Sequence, residues 1–156
     1  MEKIQITYQT ASKEELTKEE QSLIDKAIAA LDGAHAPYSN FHVGSAVLLE
    51  DGSIVTGNNQ ENAAYPSGLC AERVALFAAK SQTKQPVRLI AIVARNQKGN
   101  AADAFSCGNC RQVMMEYANE QETRIRIIMG DHNGNYVVLD DVRNLLPFSF
   151  YSRSLN

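Results

Sequence analysis

Cys70-Ala71-Glu72-Arg73-Val74-Ala75-Leu76-Phe77-Ala78-Ala79-Lys80, followed by Val87-Arg88-Leu89-Ile90-Ala91-Ile92-Val93-Ala94, decides the fold. The first stretch consists of helix formers throughout. The second is a nearly continuous apolar run rich in β-branched residues, the pattern of a strand covered on both faces. The same order then recurs. Cys107 to Asn119 reads as a helix with Val113, Met114 and Tyr117 on one side, and Ile125 to Met129 as another apolar strand.

Working outward, Thr17-Lys18-Glu19-Glu20 forms a capping box, and Leu23, Ile24, Ala27, Ile28 and Leu31 follow at helical spacing up to a stop at Gly33. Phe41 to Leu49 and Ser53 to Thr56 flank Asp51-Gly52, a hairpin signal. Asn58 to Gly68 is a polar loop containing Pro66, and Gln97 to Ser106 reads as a second loop. Asn133-Gly134 turns the chain towards Tyr136 to Leu139, and Asp141 to Leu146 reads as a short helix ended by Pro147. The expected fold is α/β: a three-layer α/β/α sandwich with helices on both faces of a mixed sheet of about five strands, antiparallel at its start and parallel later. Residues 17–156 form one domain. Residues 1–16 are an N-terminal extension, in which alternating Ile4, Ile6 and Tyr8 read as an added edge strand or an arm docking on a neighbouring subunit.

Hydrophobic residues make up 44% of the 156, charged residues 21%, and the net charge is −3 with no run of Lys or Arg. A protein that grips a phosphate backbone shows a basic stripe, so the expected partner is a small molecule and not a nucleic acid. The N-terminus has no apolar h-region, and no apolar stretch approaches the roughly 20 residues of a membrane span. A cytoplasmic protein without a membrane partner is expected. Three cysteines, an odd number, fit a reducing compartment better than a disulfide framework.

Cys107 and Cys110 lie three apart at the start of a helix, so both sulfurs face the same way. Free N–H groups at a helix start favour thiolate over thiol, and Cys70 begins a second helix. A small buried thiol or a redox pair would explain either feature alone. A redox pair belongs just after an early strand, however, and here the pair comes late in the chain with a third cysteine at a separate helix start. Metal binding accounts for all three. Three thiolates leave a tetrahedral zinc one protein ligand short, and His35, His42 and His132 all lack ligand-like spacing from a cysteine. An open position holding water is therefore expected. Glu72, two residues after Cys70, is placed to move that water's proton. Arg73 and Arg111 either offset the thiolate charge or form surface salt bridges.

Cys70-Ala71-Glu72-Arg73 with Cys107-Gly108-Asn109-Cys110-Arg111-Gln112 closely resembles the short-chain cytidine deaminases. Three cysteine ligands and a glutamate that is not a ligand are known zinc-deaminase chemistry. Ala36-Pro37-Tyr38-Ser39-Asn40-Phe41-His42-Val43-Gly44 resembles the segment leading into that family's first strand. Gly57-Asn58-Asn59-Gln60-Glu61-Asn62-Ala63-Ala64-Tyr65 resembles its nucleoside-binding loop, and Leu145-Leu146-Pro147 its C-terminal motif. The resemblance runs from about residue 17 to 150.

It implies hydrolysis of cytidine and 2′-deoxycytidine to the uridines plus ammonia, a step of pyrimidine salvage, with Glu72 as proton shuttle. It implies one zinc per subunit on three thiolates plus water. It places Asn59 and Glu61 on the ribose hydroxyls, where their i, i+2 spacing in an extended loop puts both on one side. It places Phe41 against the pyrimidine, the Ala71 N–H on the base carbonyl, and Phe150 in a neighbouring subunit's site, which implies a homotetramer. Plain packing is the alternative for Phe41 and Phe150.

Other zinc aminohydrolases of related scaffold are the rivals: blasticidin-type or modified-nucleoside deaminases, guanine deaminases and nucleic-acid editors. A structural zinc module is another, and would need a fourth protein ligand. Three residues depart from the family pattern. Ser106 stands where Pro is usual and is expected to N-cap the helix. Gln60 replaces an apolar residue. Phe148 replaces a small one and is expected to crowd the mouth of the site.

Overall fold

The computed structural model describes residues 1–155, the side chains of residues 153 and 154 excepted. Thr17 caps the first helix, α1 (Lys18–Ala30): its hydroxyl accepts the Glu20 N–H at 3.3 Å, and the Glu20 carboxylate accepts the Thr17 N–H at 2.8 Å. Leu23, Ile24 and Ala27 are buried from this helix, and Leu31 from the 3-10 turn that ends at Gly33. The hairpin at Asp51-Gly52 joins β2 (His42–Leu49) to β3 (Ile54–Asn58), with Gly52 at φ 84°. Next come α2 (Ala71–Gln82), β4 (Val87–Arg95), α3 (Gly108–Gln121), β6 (Arg126–Asp131) and β7 (Asn135–Leu139). β1 (Gln9–Ser12) precedes α1, and a two-residue β5 (Ala101–Ala102) lies between β4 and α3. No helix is long and apolar enough to cross a membrane among the described residues.

The strand order is β1-β7-β6-β4-β2-β3, with β5 paired to β4. The sheet thus has seven strands instead of about five. The additions are short: β5 is too brief to show alternation, and β1 pairs with the edge of β7, Ala11 opposite Tyr136. Ile4, Ile6 and Tyr8 stay outside the strand and exposed. Alternation alone does not select which residues meet an edge; register against the partner does. Among the described strands, only β4 and β6 form an adjacent parallel pair, and the other strand pairs are antiparallel. β3 and β4 flank β2 and run the same way, each antiparallel to it. The β3-α2-β4 and β4-α3-β6 crossovers therefore bring both helix N-termini to the carboxyl ends of β3 and β4, where α/β sheets place their ligands.

Alternate residues of β4 divide the core. Ile90, Ile92 and Ala94 pack with Leu76, Ala79, Met114 and Ala118 of α2 and α3. Leu89, Ala91 and Val93 pack with Leu23, Ile24 and Ala27 of α1. Burial on both faces explains why this strand is apolar at almost every position. Gly57 lets α2 approach β3: a Cβ there would lie 2.5 Å from the Ala75 nitrogen and 2.7 Å from the Ala71 carbonyl oxygen.

Candidate active site

Cys70 and Cys107 are the N-caps of α2 and α3, both in extended conformation and neither making a side-chain cap hydrogen bond. Cys110 lies one turn into α3 and is fully buried. The Cys70 and Cys107 Sγ atoms are 3.8 Å apart, those of Cys107 and Cys110 3.4 Å, and all three lie within 4.8 Å of one another. Thiolates about 2.3 Å from a tetrahedral zinc stand roughly 3.8 Å apart, so this triangle fits that ion.

No fourth Cys, His, Asp or Glu joins the group among the described residues. The ring nitrogens of His42 and His132 lie 3.3 and 3.2 Å from the carbonyl oxygens of Leu31 and Ala94. A closed structural zinc site would need the missing ligand; three ligands leave a position for water.

The charges point to the same chemistry. The Cys70 thiol is held down to about 6, chiefly by its hydrogen bond with Cys110, helped by Arg73 and Cys107 and opposed by burial and Glu72. The Cys110 thiol is pushed up by that same hydrogen bond, by burial and by Glu72. A dication beside the three sulfurs favours their ionised forms together. Burial works against the Arg73 charge, but hydrogen bonds and charge from Cys70 and Cys110 outweigh it and raise its pKa. Arg73 is thus the counter-charge to the thiolates. Arg111 is not: its Nε donates to the Ser106 carbonyl at 2.8 Å and its Nη1 to the Leu145 carbonyl at 3.2 Å.

Glu72 lies in the first turn of α2 and is 3% exposed. Its Oε1 accepts a hydrogen bond from the Ser106 hydroxyl at 2.8 Å. This corrects the expectation that Ser106 caps α3, since Cys107 holds the cap position and the serine hydroxyl turns to the other helix. Sequence spacing gave no sign of the contact, because the partners are 34 residues apart.

Phe41, Asn59, Glu61, Cys70, Glu72 and Cys107 all line one cleft of about 820 Å³. Its rim carries an aromatic pair absent from the sequence-based expectation, Tyr38 and Tyr65, edge to face with ring centroids 6.1 Å apart. Asn59 Oδ1 accepts the Val43 N–H at 2.8 Å, and its Nδ2 donates to the Phe41 carbonyl at 2.9 Å. Glu61 accepts the backbone N–H groups of Tyr38 at 2.9 Å and Ser39 at 3.3 Å, as well as the Ser39 hydroxyl. That hydroxyl is the main reason its carboxyl is held below the usual range. Gln60 also lines the cleft, and its Nε2 donates to Asn58 Oδ1 at 2.6 Å, which gives a polar residue at that position a partner.

Two of the expected residues stand off the cleft wall. Ala71 is fully buried in the first turn of α2. Phe150 is 61% exposed, with its carbonyl held by Gln112 Nε2 at 2.7 Å. Phe148 is not at the mouth of this chain's cleft; it is 95% exposed at φ 59°.

A model of the cytidine and deoxycytidylate deaminase zinc-binding region matches residues 17–123. A cytidine deaminase of Halalkalibacterium halodurans is 40% identical over 136 residues, covering 87% of this chain and 97% of that protein. One from Sporosarcina psychrophila is 36% identical over 137 residues, covering 87% and 94%. Among solved structures, the cytidine deaminase of Burkholderia pseudomallei superposes with a TM-score of 0.74 at 36% identity, covering 86% of this chain and all of that one.

Proposed function

This chain belongs to the cytidine and deoxycytidylate deaminase family, and from that premise we propose that it converts cytidine and 2′-deoxycytidine to the uridines and ammonia with zinc on Cys70, Cys107 and Cys110. The observation that carries the reading is the open triangle of sulfurs beside a buried, non-ligating glutamate in a cleft of about 820 Å³. Cys70, Cys107 and Cys110 would hold the zinc, which would lower the pKa of a water and so supply the nucleophile for C4.

Glu72 carries one proton from the attacking water to N3 of the ring, which leaves C4 more electrophilic. After the oxygen adds to C4, Glu72 moves the second proton from the new hydroxyl to the amino group. Ammonia leaves, the oxygen becomes the C4 carbonyl of uridine, and N3 keeps its proton. Ser106 supports this role by holding the carboxylate. Arg73 balances the thiolate charge, so that the site with its metal is not strongly anionic.

Phe41 packs on the pyrimidine, Asn59 and Glu61 hold the ribose hydroxyls, and the Ala71 N–H at the start of α2 meets the base carbonyl. Phe150 completes the site of a neighbouring copy in a homotetramer; its exposure and its place outside the lining of its own cleft support that role. Ligands that work as thiolates favour a reducing, cytoplasmic setting.

The test is the ultraviolet spectrum of cytidine with purified enzyme before and after chelation, alongside Glu72→Gln. Conversion to uridine should stop on chelation and return with zinc. Glu72→Gln should keep its zinc and lose at least about 10²-fold in turnover. An unchanged cytidine spectrum with metal-loaded enzyme overturns the reading, and near-normal turnover by Glu72→Gln overturns the role of that residue.

A further inference from the structure

Glu72 is carried by α2, whereas Ser106 ends the loop that leads into α3; their side chains meet at 2.8 Å with Glu72 3% and Ser106 4% exposed. A hydroxyl donating to a carboxylate is charge-assisted, and burial keeps water from competing for it. Ser106 is the only residue hydrogen-bonded to this carboxylate among the described residues. The serine is itself held. Arg111 Nε donates to its carbonyl at 2.8 Å, and Nη1 of the same guanidinium donates to the Leu145 carbonyl at 3.2 Å, so the serine backbone is itself tied in place. Cys107 occupies the helix cap, so the Ser106 hydroxyl has no competing duty at the start of α3.

We infer that Ser106 is a positioning residue for this reaction: its hydroxyl holds Oε1 of Glu72 and so directs Oε2 towards the proton-transfer path. This rests on Glu72 being the proton shuttle. A glutamate side chain has three rotatable bonds, and a shuttle that serves a water, a ring nitrogen and an amino group must return to the same place between transfers. One oxygen fixed and the other free meets that need. Misplacing a catalytic group lowers the rate of the chemical step while leaving ground-state binding of the nucleoside largely intact.

The experiment compares Ser106→Ala, Ser106→Thr, Glu72→Gln and the double variant Ser106→Ala/Glu72→Gln, with kcat, KM for cytidine and zinc per chain measured for each. Ser106→Ala should lose about 10-fold or more in kcat, with KM within about 2-fold and zinc content unchanged. Ser106→Thr, which restores a hydroxyl, should recover most of the loss. In the Glu72→Gln background, Ser106→Ala should cost less than about 2-fold further. Wild-type kcat in Ser106→Ala, a loss that follows zinc content or KM, failure of threonine to rescue, or a full multiplicative loss in the double variant would each overturn the proposal. Near-normal turnover of Glu72→Gln would instead remove the shuttle reading beneath it, so the two failures are told apart.

Discussion

Asn59 fastens the loop after β3 to the first residues of β2 through both ends of its amide, on the Val43 N–H and the Phe41 carbonyl. An amide has a further lone pair and a further N–H, so contact with a ribose hydroxyl remains compatible with this bracing. Asn59→Ala should therefore act twice. It should raise KM for cytidine several-fold and also lower unfolding stability by about 1–3 kcal/mol, because two backbone groups lose their partner. Steady-state kinetics and urea unfolding of the same preparation check this, and a normal KM with lowered stability would assign Asn59 to bracing alone. Residue types and spacing sufficed to group Cys70, Cys107 and Cys110 as a candidate metal site with Glu72 in the same cleft, because each lies at a helix start. They did not suffice for Ser106 and Arg111. A serine before a helix caps by default, and an arginine after a cysteine is expected to answer its charge; only the placement of α2 and Leu145 gives each a different partner.

At the scale of elements, the site depends on how closely α2 lies on β3. The atoms that would meet a Cβ at Gly57 are backbone, which cannot rotate aside. Gly57→Ala should displace the start of α2, destabilise the protein by about 1–3 kcal/mol and weaken zinc retention. Thermal unfolding and zinc remaining after dialysis against a competing chelator would show it; unchanged values for both would mean that the helix tolerates the shift. On the opposite face, Glu20 ties the start of α1 to β6 through Arg126 Nε at 2.7 Å. Burial alone would raise its carboxyl pKa, but the Thr17 backbone, Arg126 and the Thr17 hydroxyl outweigh it and hold it below 4.5. A lowered folded-state pKa means the stabilisation is present above the unfolded value and is lost as pH falls through the folded one. Glu20→Gln should thus be less stable than the parent at pH 7, with the gap narrowing as pH falls below the ordinary carboxylate range. A gap independent of pH in chemical denaturation would contradict the assignment.

For the whole molecule, the metal site joins the N-termini of two helices that rest on the same face of the sheet. Ligand binding to the folded state stabilises it by mass action, so chelation should lower the thermal midpoint by about 5–10 °C and zinc should restore it. An unchanged midpoint in metal-free protein would mean that the sulfurs add nothing to the link between α2 and α3. The amino-acid sequence by itself determined the helices, the central β4 strand, the two hairpin turns and the zinc chemistry. These rest on local periodicity, caps, turn residues and ligand type, all written in neighbouring positions. Only the tertiary structure decided which residues of the N-terminal arm form β1, that the sheet has seven strands, and that Ser106 answers Glu72. Strand register and a hydrogen bond across 34 residues depend on how separate elements are brought together, and no local pattern records that.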